Sequence, residues 1–299
     1  MIRVVTDTVA SIPAEMLEGE PIDVMTLYVN HEGVEYVEAE MDIEEFYTGI
    51  YDMVNNIPTS SQPSQQHLED VFTRIAHAGD ELLGVFISTG LSGTYNGVIR
   101  AVQAVKARIP SFKFALIDSQ SCGFDEGWPV MRALEAVRGG FDLSQCIEAV
   151  VSSVKSSRFL FTPSTLTFLQ KGGRIGSAAA LLGNLIQLSP VLTVVEGKSA
   201  MIANVRLRKK ALARILEEFK ADIDEYGLRN VVVHYIGDKM PAVEWAKEHI
   251  EPLLNRAVSV VPVSPVIGLH VGPAVGIAYE CEKEMPYKFP HEMPAIVCQ

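Results

Sequence analysis

The chain has 299 residues, which is enough for two domains that each bury an apolar core. Hydrophobic residues make up 48% of it, but they occur in short runs, and none approaches the roughly 20 apolar residues of a membrane-spanning helix. The formal net charge of −12 disfavours nucleic acids and anionic membrane surfaces as partners. We therefore expect two domains, no stable membrane insertion and no nucleic-acid partner.

The N-terminus and the cysteines indicate a cytoplasmic protein. The chain begins directly with a β-rich segment, without the basic and apolar regions of a signal peptide. The four cysteines lie far apart and form no C-x-x-C pair, which is typical of reduced thiols. The seven histidines have no metal-ligand spacing, so the sequence predicts no metal site.

Residues 1–158 alternate β-rich runs with amphipathic stretches, the pattern of an α/β domain with a mostly parallel sheet. Strands are predicted at residues 2–6, 22–29, 82–87 and 112–117. Helices are predicted at residues 43–54, 65–78, 94–107 and 128–137.

Residues 159–299 have a different pattern, which predicts an α+β domain with an antiparallel sheet, and the domain boundary is expected near residue 158. Strands are predicted at residues 158–161, 190–195, 200–205, 230–236, 257–261 and 275–279, with a hairpin turn at 196–199. Helices are predicted at residues 164–187, 207–219 and 242–250. The segment from Cys281 onward is expected to be an irregular extension.

Two hydroxyl-rich segments precede predicted helices, T-S-S-Q-P-S at residues 59–64 and S-T-G-L-S-G-T at residues 88–94. Such segments commonly cap helices, because a hydroxyl accepts a hydrogen bond from a free backbone N–H. The same groups bind anions at helix N-termini, so the two segments together indicate an anion site. The second segment matches neither nucleotide-binding glycine pattern and lacks the G-x-S-x-G spacing of a serine-hydrolase elbow.

His270 and two basic clusters are further candidates. His270 lies in G-L-H-V-G-P at residues 268–273, where the glycines would allow close approach of a ligand and the imidazole could donate to a carboxylate. A packed histidine bonded to the backbone is the alternative interpretation. Basic residues cluster at residues 171–174 and 206–210, and each cluster is either a solvated surface or a contact for an acidic partner or a phosphate.

Several motifs, in order along nearly the whole chain, resemble those of the DegV family of bacterial fatty-acid-binding proteins. They are V-T-D at residues 5–7, the two hydroxyl-rich segments, I-D-S at 117–119, L-Q-K-G-G-R-I at 169–175, A-L-L-G at 180–183, V-R-L-R-K-K at 205–210 and I-G-L-H-V-G-P at 267–273. The resemblance implies two α/β domains that bury a long acyl chain and hold its carboxylate near the surface.

The resemblance also implies roles for individual residues. The predicted carboxylate-binding residues are Ser60, Ser61, Ser92, Gly93, Thr94 and His270, and the choice between the adjacent Ser60 and Ser61 stays open. A fatty acid kinase is implied as the partner that converts the bound acid to an acyl phosphate. The residues expected to face this kinase are Arg174, Arg206, Arg208, Lys209 and Lys210. The chain itself is then a carrier of a long-chain fatty acid, without catalytic residues or a cofactor.

Two other functions compete with this interpretation. An acyl hydrolase would use Ser92 as nucleophile and His270 as base, although the missing elbow and the lack of an obvious carboxylate for His270 argue against it. A phosphosugar or dihydroxyacetone-type binding protein would use the same anion site for a phosphate.

Overall fold

The computed structural model describes residues 1–181, 188–286 and 295–298, and within them the strands form three sheets. The first sheet has the order β14-β7-β6-β1-β2 and contains β1 (Ile2–Asp7), β2 (Ile22–Met25), β6 (Glu81–Phe86), β7 (Phe114–Asp118) and β14 (Ala295–Cys298). The second has the order β10-β9-β8-β13-β11-β12 and contains β8 (Ser157–Pro163), β9 (Leu188–Val195), β10 (Lys198–Arg206), β11 (Asn230–Ile236), β12 (Val260–Pro262) and β13 (Ala274–Glu280). The small third sheet, β4-β3-β5, contains β3 (Tyr28–His31), β4 (Val34–Val37) and β5 (Thr59–Ser61).

Helices cover the two large sheets. Those of the first half are α1 (Ile43–Gly49), α2 (Gln65–His77), α3 (Thr94–Arg108), α4 (Phe124–Arg138) and α5 (Leu143–Ser156). Those of the second half are α6 (Thr167–Lys171), α7 (Arg208–Tyr226), α8 (Met240–Trp245), α9 (Glu251–Leu254) and α10 (Pro265–Val271), and a π turn at Ala246–Ile250 joins α8 to α9. None of the helices in the described ranges is both long and apolar enough to cross a bilayer.

The predicted mixed α/β architecture is confirmed. In the first sheet β2, β1, β6 and β7 run parallel. Their apolar side chains are buried on both faces, against α2 and α3 on one side and against α4 and α5 on the other. The second sheet is mostly antiparallel, as expected, and only β11 and β12 pair in parallel. The predicted domain boundary near residue 158 falls within β8 and stays a prediction.

The β9–β10 hairpin is also confirmed. Its turn is formed by Glu196 and Gly197, both of which have a positive φ, the conformation that tight hairpins with right-handed twist require.

Several predicted elements are wrong in extent. The strand predicted at residues 22–29 divides into β2 and β3, which belong to different sheets. Between them, the backbone N–H of Leu27 donates to the Thr8 hydroxyl and not to a neighbouring strand. The helix predicted at residues 43–54 ends at Gly49 and is followed by a 3₁₀ turn, Asp52–Asn55. Helices α5 and α10 and strands β4 and β5 were not predicted.

The helix predicted at residues 164–187 is confirmed only at residues 167–171, where α6 lies, and is wrong in extent over the rest of its described part. Helix α6 ends at Lys171, since Gly173 and Gly176 take positive φ angles that a continuing helix excludes, and a 3₁₀ helix, Gly176–Leu181, follows. Residues 182–187 lie outside the described residues. The irregular extension predicted after Cys281 is wrong for residues 295–298, which form β14 antiparallel to β7.

Candidate functional site

A cavity of about 330 Å³ lies where the segments after β1 and β6 meet β8, β9 and α10. Its volume falls within the roughly 300–1,000 Å³ typical of small-molecule sites. The walls are mainly apolar, with side chains from both halves of the chain, among them Ile87, Phe159, Phe161, Leu169, Val266 and Ile267. An apolar molecule inside the cavity would therefore contact hydrocarbon side chains, and not water, on most sides.

The cavity also has polar lining residues. They are Ser60, Ser61, Gln62, Ser92, Gly93, Arg174, Ser199 and His270. Ser60 Oγ lies 2.9 Å from His270 Nε2, and Gln62 approaches Gly93 closely. Arg174 donates from Nε to the Leu91 carbonyl at 3.1 Å and from Nη1 to the Gly172 carbonyl at 2.5 Å, beside the His270 ring. The cavity thus has one polar end and otherwise mainly apolar walls.

Ser60 and Ser61 differ in the direction of their side chains. Both lie in β5, which pairs antiparallel with β3, and successive residues of a strand point to opposite faces. Ser60 Oγ contacts His270, whereas Ser61 Oγ lies 3.3 Å from both Glu35 Oε2 and Asn30 Nδ2 on the small sheet. The hydroxyl that faces His270 is therefore that of Ser60.

His270 lies in the last turn of α10 and is largely buried. Burial, and after it the positive charge of Arg174, lowers the pKa of His270 to about 4, so the imidazole is neutral near pH 7. Its Nδ1 atom is buried and has no hydrogen-bond partner within the described parts of the chain. A neutral ring can still donate one N–H, but it brings no positive charge to the site.

The glycines around His270 have structural roles that the sequence did not reveal. A Cβ on Gly268 would lie 2.7 Å from the Tyr47 ring, so this glycine lets α10 pack against Tyr47. Gly272 has φ 73° at the C-terminus of α10, where it ends the helix against Phe168. We expected these glycines to allow close approach of a ligand. In the structure, Gly268 instead allows helix packing and Gly272 ends the helix.

Ser92 lies in the loop between β6 and α3. Its Oγ accepts a hydrogen bond from the backbone N–H of Thr94 at 3.2 Å and lies 2.9 Å from Thr94 Oγ1. Ser92 and Gly93 line the cavity. Thr94 is buried and does not line it, but it is hydrogen-bonded to Ser92. Ser92 therefore accepts a hydrogen bond from the first residue of α3, whose N-cap is Gly93, and also lines the cavity.

Two contacts that the sequence did not predict fix this loop. Asp118 accepts from the backbone N–H and the hydroxyl of Thr89, at 3.2 and 2.7 Å. Ser88 Oγ donates to the Gly197 carbonyl at 2.9 Å, and a Cβ on Gly90 would lie only 2.3 Å from that carbonyl oxygen. The β9–β10 turn therefore packs directly on the loop that carries Ser92. Asp118 belongs to the I-D-S motif, which was the only sequence signal for this contact.

The five residues predicted to face a partner do not lie together. Arg174 lines the cavity, which the sequence analysis did not anticipate. The other four, Arg206, Arg208, Lys209 and Lys210, are exposed at the end of β10 and the start of α7 and do not line it. Within the described residues, no group of His, Cys, Asp and Glu side chains is arranged to hold a metal ion.

The family of this chain follows from comparison with known proteins. Residues 1–282 match the family model described as uncharacterised protein, DegV family. This chain belongs to the DegV family. A DegV domain-containing protein of Clostridium acetobutylicum is 35% identical over 288 residues, which cover 95% of this chain and 99% of that protein. Another from Clostridium perfringens is 35% identical, with 94% and 99% covered.

Solved DegV structures share the fold. A fatty-acid-binding DegV family protein from Thermus thermophilus has a TM-score of 0.82 and 30% identity, and the match covers 94% of this chain and 99% of that chain. A stearic-acid-binding protein from Eubacterium ventriosum has a TM-score of 0.85 at 26% identity, and DegV from Bacillus subtilis, a fatty-acid-binding protein, has 0.82 at 28%, both with the same coverage. The resemblance inferred from the sequence motifs is confirmed.

Proposed function

We propose that this DegV protein binds a long-chain fatty acid, with the acyl chain in the 330 Å³ cavity and the carboxylate at its polar end. One observation carries the proposal: a single cavity combines mainly apolar walls with polar side chains, among them Ser60 and His270, which are in hydrogen-bond contact. A fatty acid has the same two parts, a hydrocarbon that avoids water and a carboxylate that must stay hydrogen-bonded. The fatty-acid-binding relatives from Thermus thermophilus and Bacillus subtilis support this assignment.

At the polar end, we assign the carboxylate to Ser60, Ser92 and His270. Hydroxyl and imidazole N–H groups make charge-assisted hydrogen bonds to a carboxylate, and these are stronger than bonds between neutral groups. The backbone N–H groups near Gly93 and Thr94 begin the 15-residue helix α3, whose N-terminus favours negative charge. Ser60 is assigned instead of Ser61, because its hydroxyl faces His270.

The acyl chain supplies most of the affinity. Burying about 15 methylene groups at ~0.8 kcal/mol each gives roughly 12 kcal/mol before the cost of immobilising the chain. Each hydrogen bond to the charged head adds about 1.5–3 kcal/mol. The tail therefore holds the ligand, and the polar group selects an acid and fixes its direction.

We also propose that the chain presents the bound carboxylate to a fatty acid kinase for acyl-phosphate formation and has no catalysis of its own. Arg174 at the polar end and the exposed run of Arg206, Arg208, Lys209 and Lys210 supply positive charge in a chain of net charge −12. This charge suits an acidic surface or the phosphates of a kinase's nucleotide. A cytoplasmic location is part of the proposal and is supported by the four free cysteines.

The geometry favours a carrier over an acyl hydrolase. His270 Nε2 is bonded to Ser60 instead of Ser92, and within the described residues no carboxylate is bonded to its Nδ1 to orient the ring as a base. A fluorophosphonate probe that labels the protein but not Ser92→Ala would support the hydrolase. A phosphosugar is disfavoured, because its hydroxyl groups would lie against Phe159, Phe161 and Ile267 without hydrogen-bond partners.

Mass spectrometry of the ligand that co-purifies with the native protein tests the proposal. We expect a long-chain fatty acid in stoichiometric amount. A sugar phosphate, or the absence of any lipid together with failure of the delipidated protein to take up palmitate, would contradict it.

A further inference from the structure

Helix α10 supplies one wall of the cavity and the imidazole at its polar end. Val266, Ile267, His270 and Val271 all line the cavity. The helix has only seven residues, so its position depends on contacts with the rest of the molecule more than on its own stability. These contacts, those at its N-terminus among them, therefore determine where His270 lies.

One buried carboxylate makes the central contact. Glu38 Oε1 accepts from the backbone N–H of Val266 at 2.8 Å and from Ser264 Oγ at 2.6 Å. Glu38 Oε2 accepts from the Thr8 hydroxyl. That hydroxyl in turn accepts from the backbone N–H of Leu27 at 3.1 Å, and Leu27 also lines the cavity.

Glu38 thus joins α10 to the segments that follow β1 and β2. It is 4% exposed and does not line the cavity, so it does not touch a ligand there. Burying a carboxylate carries a large desolvation penalty, which is visible as a raised pKa of Glu38. Three converging donors offset part of this penalty, and the carboxylate lies at the N-terminus of α10.

The length of the Glu38 side chain is needed for its contacts on both sides. Glu38 lies in a 3₁₀ helix, Glu38–Glu40, and its two oxygens contact Val266 on one side and Thr8 on the other. An aspartate at this place is one methylene shorter and cannot make both contacts without moving the backbone. A glutamine keeps the length and one acceptor oxygen for Val266, and its amide group can donate to the Thr8 oxygen.

We propose that Glu38 is a positioning residue for the carboxylate site, because it fixes the N-terminus of α10 and thereby holds His270 beside Ser60. This inference rests on the proposed function, since the ligand whose head His270 contacts is a fatty acid. Loss of the Glu38 contacts shifts α10 and with it the imidazole relative to the head group, while the apolar walls formed by Phe159, Phe161 and Leu169 stay in place. The affinity for the acid should then fall more than the affinity for a ligand that has only the tail.

The test compares palmitate with methyl palmitate, which has the same tail without a charged head, in delipidated protein. Glu38→Ala and Glu38→Asp are expected to lower palmitate affinity about ten-fold or more, the effect of one lost charge-assisted bond, and to change methyl palmitate affinity by less than about two-fold. Glu38→Gln is expected to retain most of the selectivity. Glu280→Asp is the matched control for Glu38→Asp, because Glu280 is similarly buried but is bonded to Ser153 and Asn230 and does not line the cavity.

A second readout is the imidazole itself. In the wild-type protein NMR titration should give His270 a pKa of about 4, and in Glu38→Asp the pKa should move toward the 6.5 of an exposed ring. Equal losses for acid and ester, or an aspartate variant that behaves like wild type, would overturn the inference. If Glu38→Ala does not fold, the comparison of Glu38→Gln with Glu38→Asp tests the inference instead. A wild-type protein that does not prefer acid over ester would instead contradict the proposed function.

Discussion

Ser60 Oγ and His270 Nε2 lie 2.9 Å apart although 210 residues separate them in the chain. The serine comes from an edge strand of the small sheet and the histidine from the last turn of α10. Their contact brings the two halves of the sequence together at the polar end of one cavity. A ligand carboxylate placed there would meet a hydroxyl and an imidazole that are already aligned, which lowers the cost of binding.

The two adjacent serines give a matched test of this placement. Ser60→Ala removes the hydroxyl that faces His270 and should weaken palmitate binding about ten- to a hundred-fold. Ser61→Ala removes a hydroxyl that faces Glu35 and Asn30 and should leave the affinity within about two-fold of wild type. Isothermal titration of delipidated proteins measures both. A larger loss for Ser61→Ala would show that the assignment is reversed.

Ser92 combines a hydrogen bond to the first residue of α3 with the proposed ligand contact, and a comparison with Ser64 separates the two. Ser92→Ala should cost about 1 kcal/mol of stability, because the Thr94 N–H loses its acceptor, and should also weaken palmitate binding about ten-fold or more. Ser64→Ala removes the N-cap of α2, which accepts from the His67 N–H at 3.1 Å and does not line the cavity, and should cost similar stability with unchanged binding. Urea unfolding and lipid titration measure the two effects. Wild-type affinity in Ser92→Ala would show that Ser92 holds the loop and does not contact the ligand.

The buried imidazole predicts a pH dependence of stability. Burial lowers the pKa of His270 from 6.5 to about 4, so between these values the unfolded chain carries a proton that the folded chain does not. The free energy of unfolding should therefore fall as the pH decreases through this window. His270→Asn should remove that part of the decrease, while the contribution of the buried His234 is common to both proteins.

Urea unfolding of wild type and His270→Asn at about pH 7.5 and about pH 5 measures the difference, with the larger loss expected in wild type. The same loss in both proteins would indicate that His270 titrates like an exposed histidine.

Much of the fold follows from local patterns, and the rest depends on tertiary contacts. The strands β1 and β6 and the β9–β10 hairpin were predicted within one or two residues, because apolar runs and a turn signal define them locally. Helix α10 was missed, since its glycines resemble those of a loop and their fit against Tyr47 and Phe168 is visible only in the structure. Strand β5 was missed for a similar reason, because polar T-S-S pairs with β3 at an edge.

The candidate site shows the same division. The motifs identified Ser60, Ser92 and His270, and the structure places them around one cavity, although their contact with a ligand stays a prediction. The positions of Glu38 and Asp118 could not be derived from spacing. Each acts through a hydrogen bond to a segment distant in sequence, on α10 and on the Ser92 loop respectively.

The basic run at the start of α7 predicts an effect on phosphorylation but not on binding. Lys209→Glu should slow phosphorylation of bound palmitate by a fatty acid kinase at limiting carrier concentration. Lys220→Glu is the control, because it reverses an exposed charge farther along the same helix, and it should not slow the reaction. Arg174→Glu should lower both lipid affinity and phosphorylation, because Arg174 lines the cavity. Equal rates for both lysine variants and wild type would make the run a solvated surface.

If this cavity recognises a fatty acid by its carboxylate as well as by its tail, the delipidated wild-type protein should distinguish palmitate from methyl palmitate in paired titrations. Palmitate and methyl palmitate bury the same hydrocarbon, but only palmitate offers a charged acceptor to Ser60, Ser92 and His270. Palmitate should bind at least about ten-fold more tightly than its ester. Equal affinities would show that the cavity binds the tail without recognising the carboxylate.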